Sequence, residues 1–350
     1  MKKLLIILLF LASLSLFGCS KNKGFTKTIY VFDTTVTINL YEGTEANLND
    51  IVDILNRLHK LTDAYHPYEG ITNIYSINEA IKNGVTSFNI DYDLACLLKY
   101  PEEATSKLDL VDDELVLDRF EYDKRIMLGA GELTNLWKKA ISEKALPEED
   151  VINRIVNDIN EGKYKYSCDG YIKLTVDEGS KVSFDLGSIV KGYAASKVGQ
   201  YLINNEIKKF MIDLGQSTIL LGEKANGKGF NVAVNGTNYV LKNLKNCSIG
   251  TASILEQKVE IDGKIYHHII DPLTGYPTNT YDTVVVTWNY YTNDKSDLLA
   301  TYLMIDPEAV EEIIHREARR RCVGGEFCHF YFFKDGKIIK ELAGGVWKSI

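Results

Sequence analysis

The stretch Phe210-Met-Ile-Asp-Leu-Gly-Gln-Ser-Thr-Ile-Leu-Leu221 holds two short apolar runs, Phe210 to Leu214 and Thr218 to Leu221, joined by three residues. A link of that length closes a hairpin and is too short for the helical crossover that parallel strands need. Further strands are expected at Phe230 to Asn235, Lys264 to Ile270 and Asp282 to Trp288, again with hairpin-length links. Upstream, Thr28 to Tyr41 alternates Val36, Ile38 and Leu40 with Thr35, Thr37 and Asn39 and reads as one half-buried strand. Helices are expected from Ala46 to Leu61, where Leu48, Ile51, Leu55 and Leu58 fall on one face, and after Leu146-Pro147, through Val151, Ile152 and Ile155. A last helix from Pro307, capped by Asp306, and a hairpin turning at Lys334-Asp-Gly336 close the chain. The expected class is α+β, with mixed, largely antiparallel sheets and packed helices.

With 350 residues, 45% hydrophobic and 25% charged, and 6 prolines, the composition is that of an ordinary globular protein. A net charge of −8 argues against a nucleic-acid partner, and the basic cluster Arg316, Arg319, Arg320 and Arg321 reads as a solvated helix end. At the N-terminus Lys2 and Lys3 precede an apolar run, Leu4 to Phe17, that falls short of the ~20 residues a membrane-spanning helix needs. Closed by Leu16-Phe-Gly-Cys19, it has the pattern of a secretion signal ending in a lipoprotein cleavage site. The expected organisation is a signal peptide over 1–18, a lipid on Cys19, a tether over 19–27 and one domain over 28–350. This places the protein on the outward face of the cell membrane. The five other cysteines, widely and unevenly spaced, make no disulfide framework, although Cys322 and Cys328 are close enough to close a small loop.

Three segments carry residue types suited to chemistry. In Phe184-Asp-Leu-Gly-Ser-Ile-Val-Lys-Gly-Tyr193 a short strand, Val182 to Asp185, is expected to pass through Gly187 into a helix starting near Ser188. Backbone amides at such a helix start, with Lys191 one turn in, suit a phosphate, although a glycine-led helix is most often only a helix. Asp297 and Thr301, four apart on an expected helix, share one face. A carboxylate and a hydroxyl so placed suit magnesium, which keeps few protein ligands, but each also has an ordinary structural use. In His267-His268-Ile-Ile-Asp271-Pro-Leu-Thr-Gly275-Tyr-Pro277 a strand ends in a rigid turn. A histidine leaving that strand is suited to act as a general base, and strand alternation sends His267 and His268 to opposite faces. Asp271 in such a turn most often only shapes it. No Gly-x-Ser-x-Gly elbow or His-Glu-x-x-His helix is present, which weakens hydrolase readings.

At these residues the chain resembles the ApbE-type flavin transferases, exported or lipid-anchored enzymes that move FMN from FAD onto a threonine or serine of a target protein. Phe184 to Ala194 resembles the family's Asp-Leu-Gly-x-x-x-Lys-Gly segment, and Tyr266 to Pro277 its His-Ile-x-Asp-Pro-x-Thr-Gly-x-Pro segment. Ser296-Asp-Leu-Leu-Ala-Thr301 is similar to its Asp-x-x-x-Thr metal helix. Weaker echoes are Phe32-Asp-Thr-Thr, Ile71 to Asn78 and Leu128 to Trp137. The chain departs from the family at Leu214-Gly215-Gln216-Ser217, usually Gly-Gly at the middle pair, and at Thr251-Ala252-Ser253, usually Thr-Ser-Gly.

The resemblance implies an ApbE-like, T-fold related architecture, with FAD as substrate, Mg2+ as cofactor and an exported or membrane redox protein as acceptor, AMP being released. It implies Asp297, Thr301 and the Ser188 carbonyl as metal ligands, and Gly187 and Lys191 near the pyrophosphate. His268 and Asp297 would serve catalysis, and Asn78, Asp185, Thr251 and Asp271 the flavin nucleotide. Two alternatives remain open: a magnesium-dependent FAD hydrolase giving FMN and AMP, and a lipoprotein that binds flavin without catalysis.

Overall fold

The computed structural model describes residues 24–105, 107–111, 114–118, 125–288, 295–306, 329–343 and 346–348. The signal segment with Cys19, the expected helix from Pro307, the arginine cluster and the Cys322 and Cys328 pair lie outside them.

Nine strands form one sheet: β1 (Phe25–Val31), β2 (Thr34–Leu40), β3 (Phe210–Leu214), β4 (Thr218–Leu221), β5 (Cys247–Ser253), β6 (Thr283–Trp288), β7 (His329–Lys334), β8 (Lys337–Ala343) and β9 (Val346–Lys348). Their order across the sheet is their order in the chain, and every neighbouring pair is antiparallel. The fold is therefore α+β, a long meander into which longer segments are inserted. Between β2 and β3 lie α1 (Glu45–Thr62), α2 (Ile74–Lys82), α3 (Tyr92–Thr105), α4 (Gly131–Glu143), α5 (Glu149–Asn160) and α6 (Val190–Asn204), and between β6 and β7 lies α7 (Ser296–Ile305). Among the described residues no helix is long and apolar enough to cross a membrane.

The first sheet region differs from the single strand expected over Thr28 to Tyr41. β1 and β2 form a hairpin whose two-residue turn, Phe32-Asp33, has φ of 54° and 55°. Such turns favour Asn or Gly, because other side chains crowd the backbone in the left-handed region. Here the Phe32 N–H donates to His59 Nδ1 at 3.2 Å and the two rings meet edge to face, contacts that hold the turn in place. β1 begins at Phe25, inside the stretch expected as tether.

Helices α1, α6 and α7 cover one face of the sheet. α1 starts at a capping box between Thr44 and Asn47 and buries Leu48, Ile51, Leu55 and Leu58. α7 is apolar almost all round and correspondingly buried. The hairpin of Phe230–Ala233 with Val240–Leu244 covers Ile219, Leu221, Ile249 and Val285 on the other face. With helices on one side and that hairpin on the other, every residue of β6 is buried.

Two further expectations shift. Val182 to Asp185 forms no strand beyond one bridge, Ser183 to Ala130. After it a turn over 187–189 delays α6 to Val190. The strand expected from Lys264 to Ile270 breaks at His268 into Lys264–His267 and Ile270–Asp271.

Candidate functional site

Asp297 stands in the first turn of α7, where three elements meet at unusually short range. A Cβ on Gly192 of α6 would lie 2.7 Å from Asp297 Cβ, and one on Gly250 of β5 would lie 2.2 Å from the Ser296 backbone. Glycine at both positions lets α7 begin wedged between helix and sheet. Asp297 is 5% exposed and its Oδ2 accepts the Gly192 N–H at 2.9 Å. Burial pushes its carboxyl group above the usual range, while the Lys191 ammonium and the Gly192 N–H pull the other way. The hydroxyl of Thr218, fully buried beside it, pulls the same way as Lys191 and Gly192 and has no other partner among the described residues.

This environment suits a hard cation. A desolvated carboxylate and the buried Thr218 hydroxyl beside it offer oxygen only, and Thr301, one turn along, and Ser188 line the same cavity. Among the described residues no three of His, Cys, Asp and Glu cluster as metal ligands, so a zinc-type cage is not on offer. Magnesium, content with one carboxylate and several outside oxygens, fits the residues present.

The segment before α6 is tied in place from several sides. Asn78, on α2, donates to the Phe184 carbonyl at 3.0 Å and accepts the Phe184 N–H at 2.7 Å. Asp185 accepts the Gly187 N–H at 2.9 Å and the Lys138 Nζ at 2.7 Å. Lys138 also donates to the Tyr65 hydroxyl at 2.9 Å. Lys191 donates to the Ser217 hydroxyl, and the Thr251 N–H donates to the Ser217 carbonyl at 2.7 Å. Gly215 and Gln216 have φ of 75° and 66°, so both positions of the family's usual Gly-Gly pair are left-handed here. A Cβ on Gly215 would collide with Thr34 at 2.2 Å. Gln216 tolerates the conformation with its N–H donated to Asp213 at 2.6 Å. Ser253, at the other departure, shares a 2.9 Å hydrogen bond with Thr283.

The two adjacent histidines have separate environments. His267 is fully buried, with Nε2 against the Thr278 carbonyl and Nδ1 accepting the Ile269 N–H at 3.2 Å. A carbonyl only accepts and an N–H only donates, so the ring is neutral with its proton on Nε2. Burial depresses its pKa to about 4. His268 lines the cavity, and its Nδ1 faces the Gln257 carbonyl at 3.3 Å. The proton therefore sits on Nδ1, and Nε2 keeps its lone pair, the tautomer a general base requires. Burial lowers the His268 pKa; the Gln257 carbonyl opposes this, and the ammonium groups of Lys191 and Lys138 add to it.

A cavity of about 650 Å³ collects these groups. Asp185, Gly187, Ser188, Lys191, Thr251, His268, Asp297 and Thr301 all line it. Asn78 and Asp271 act from behind the wall. Asn78 clamps Phe184, and Asp271, 7% exposed, accepts the Leu273 N–H at 2.9 Å and pairs with Arg125 at 3.3 Å, shaping its turn. Reading the sequence missed Tyr65, Lys138, Asp213 and Ser217 on the cavity wall. Burial raises the Asp213 pKa against the Gln216 N–H and Lys191. Asp213 lies in the strand before the three-residue hairpin link and Ser217 in the link itself, and both were open to inspection; Tyr65 and Lys138 carry no local signal.

The family model described as the ApbE family matches residues 32–323. Among curated proteins the chain is similar to the FAD:protein FMN transferase of Treponema pallidum, 29% identical over 167 residues, 43% of this chain and 46% of that protein. It thus spans about half the length of this relative. The FAD:protein FMN transferase of Chlamydia pneumoniae is 23% identical over 309 residues, covering 87% of this chain and 91% of the relative. Two solved structures share the fold. The ApbE protein of Thermotoga maritima aligns at TM-score 0.67 and 17% identity over 93% of this chain and 97% of its own. The flavin transferase ApbE of Vibrio cholerae aligns at 0.63 and 19% over 92% and 97%.

Proposed function

The chain belongs to the ApbE family, and from that membership we propose that it transfers FMN from FAD to a threonine or serine hydroxyl of an exported or membrane redox protein, releasing AMP. The observation that carries the reading is the shared cavity. It brings together a histidine whose Nε2 has no partner among the described residues, a lysine one turn past Gly187, and Asp297 with Thr301.

In the reaction so read, the acceptor oxygen forms a bond to the phosphorus nearer riboflavin, the bond from that phosphorus to the bridging oxygen breaks, and AMP leaves with that oxygen. His268 Nε2 takes the hydroxyl proton as the oxygen attacks. Lys191 and the Gly187 turn hold the diphosphate by charge and backbone amides. Asp297, Thr301 and the Ser188 carbonyl would hold magnesium, which when bound supplies positive charge against the phosphate oxygens. Asp185 and Thr251 line the same cavity and are assigned to the nucleotide. Asn78 and Asp271 support it indirectly.

The test is incubation of the protein with FAD and magnesium, with and without candidate exported proteins. Acceptor-dependent AMP release together with a covalent FMN mass on the acceptor is the expected result. AMP formed at the same rate without acceptor would assign the chain as a hydrolase, and no AMP at all would leave a flavin-binding protein. The same proposal places the chain on the outward membrane face through a lipid on Cys19. Cys19→Ala should move it to the soluble or unprocessed fraction; unchanged membrane association and processing would overturn the anchor.

A further inference from the structure

Helix α4 contributes neighbouring residues to both loops that face the cavity. Trp137, with no exposed surface, donates from Nε1 to the Gly275 carbonyl at 2.8 Å and stacks on Tyr266 with ring centroids 5.6 Å apart. It thereby fixes the turn that follows His268. Lys138, the next residue, points to the other loop. Its Nζ lies 2.7 Å from Asp185 Oδ2 and 2.9 Å from the Tyr65 hydroxyl, and 5.5 Å from the centroid of the Tyr65 ring. Asp185 is tied at both oxygens, because Oδ1 accepts the Gly187 N–H at 2.9 Å. At its start α4 adds a third tie, the Gly131 N–H donated to the Ser183 carbonyl at 2.7 Å.

We propose that Lys138 is a positioning residue: seated between Asp185 and Tyr65, it locks the turn from Asp185 to Ser188 onto α4, and through that turn sets the backbone of Gly187 and Ser188, which line the cavity. Two of its three N–H donors are taken by protein groups. The pair is half sheltered, with Lys138 37% and Asp185 13% exposed at the side chain. Burial alone would lower the Lys138 pKa, but Asp185 and Tyr65 outweigh it and keep the ammonium charged. Without that charge the Asp185 carboxylate would keep only the Gly187 N–H, and beyond the Asp185 N–H, donated to the Leu128 carbonyl at 3.0 Å, the turn would lose its side-chain tie to α4.

The assignment of substrate to this turn rests on the proposed transferase reading; the mechanical claim does not. The experiment therefore has one arm without ligand. In the full-length protein, Lys138→Met, Lys138→Arg and Lys139→Met are compared. Lys139 is 69% exposed on the same helix and serves as the control. Amide hydrogen exchange over residues 185–189 should quicken about 10- to 100-fold in Lys138→Met, the equivalent of a lost charged hydrogen bond, and stay near wild type in the other two. The concentrations of FAD and of magnesium needed for half-saturation should rise by about 10-fold or more in Lys138→Met, by more than turnover at saturation falls, with Lys138→Arg restoring most of the loss. FAD binding is read by flavin fluorescence without magnesium, so it does not depend on turnover. Unchanged exchange at 185–189 in Lys138→Met would overturn the proposal. So would a general loss of thermal stability with no local change, or the same effect in Lys139→Met. Wild type that binds no FAD while the exchange arm behaves as expected would remove the functional reading and leave the positioning role.

Discussion

At the scale of single residues, two neighbours of like chemistry are given opposite tasks by their surroundings. His267 is locked neutral between a carbonyl and an N–H, whereas His268 lines the cavity and its Nε2 has no partner among the described residues. Removal of a positioned base typically costs roughly 10²- to 10⁴-fold. His268→Ala should therefore lower transfer within that range at saturating FAD and acceptor, with FAD binding retained; equal rates would take His268 out of the reaction. Its lowered pKa has a readable sign. A base must be unprotonated, so the acid limb of kcat/KM should lie below the usual 6.5. Asp297 offers a second test. In Asp297→Asn the amide oxygen still accepts the Gly192 N–H, but the charge is lost. Turnover should fall roughly 10²-fold or more, because metal-held charge is worth several kcal/mol, and magnesium binding should weaken in calorimetric titration. Normal turnover at low magnesium would refute the assignment.

Elements place these residues by close approach. Asn78 lies 106 positions from Phe184 in the chain, yet its carboxamide satisfies both backbone groups of Phe184, itself 1% exposed. An unsatisfied buried polar group costs about 1–3 kcal/mol. Asn78→Ala should thus destabilise the protein by an amount at or above that range and loosen the Asp185 turn that follows. Denaturant unfolding measures the first and exchange at 185–189 the second; a loss well under 1 kcal/mol would show the clamp to be idle. The elements also account for the differences from expectation. Helix α1 was readable because one of its faces is wet and the other dry, so Leu48, Ile51, Leu55 and Leu58 stand out by period. β5 was not, because Cys247-Ser-Ile-Gly-Thr-Ala-Ser253 is covered on both faces and shows no alternation. The β1 to β2 turn was missed because Phe32-Asp33 lacks the usual turn residues, and His59, far along the chain, stabilises it.

Across the whole molecule, acid should unfold the protein in two windows. His267 has its folded pKa depressed to about 4, below an ordinary 6.5, so the unfolded chain binds its proton first. Stability should fall as pH drops from 6.5 towards 4. Asp158, only 6% exposed at its side chain, is held down to about 2 by hydrogen bonds from Lys163 and Lys181, outweighing the cost of burial. Its contribution is complete above its usual value of 3.8 and is lost as pH falls through about 2. Urea unfolding across this range should show both slopes, and His267→Gln should flatten the upper one alone. An unchanged upper slope in that variant would assign it to other groups.

What depends on near neighbours is legible in the chain. It contained the antiparallel hairpins through short links, the amphipathic α1 and the shared helix face of Asp297 and Thr301. The resemblance carried by its motifs pointed to the family. Tertiary structure decided what depends on distant approach: that β5 is an inner strand of the sheet, that Gly192 and Gly250 make room for Asp297, that Asn78 and Asp271 stand behind the cavity wall, and that Lys138 reaches Asp185. The physical reason is that periodicity records only which side of an element meets water. Contacts across the long insertion between β2 and β3 are set by packing, and packing leaves no repeat in the chain for periodicity to detect.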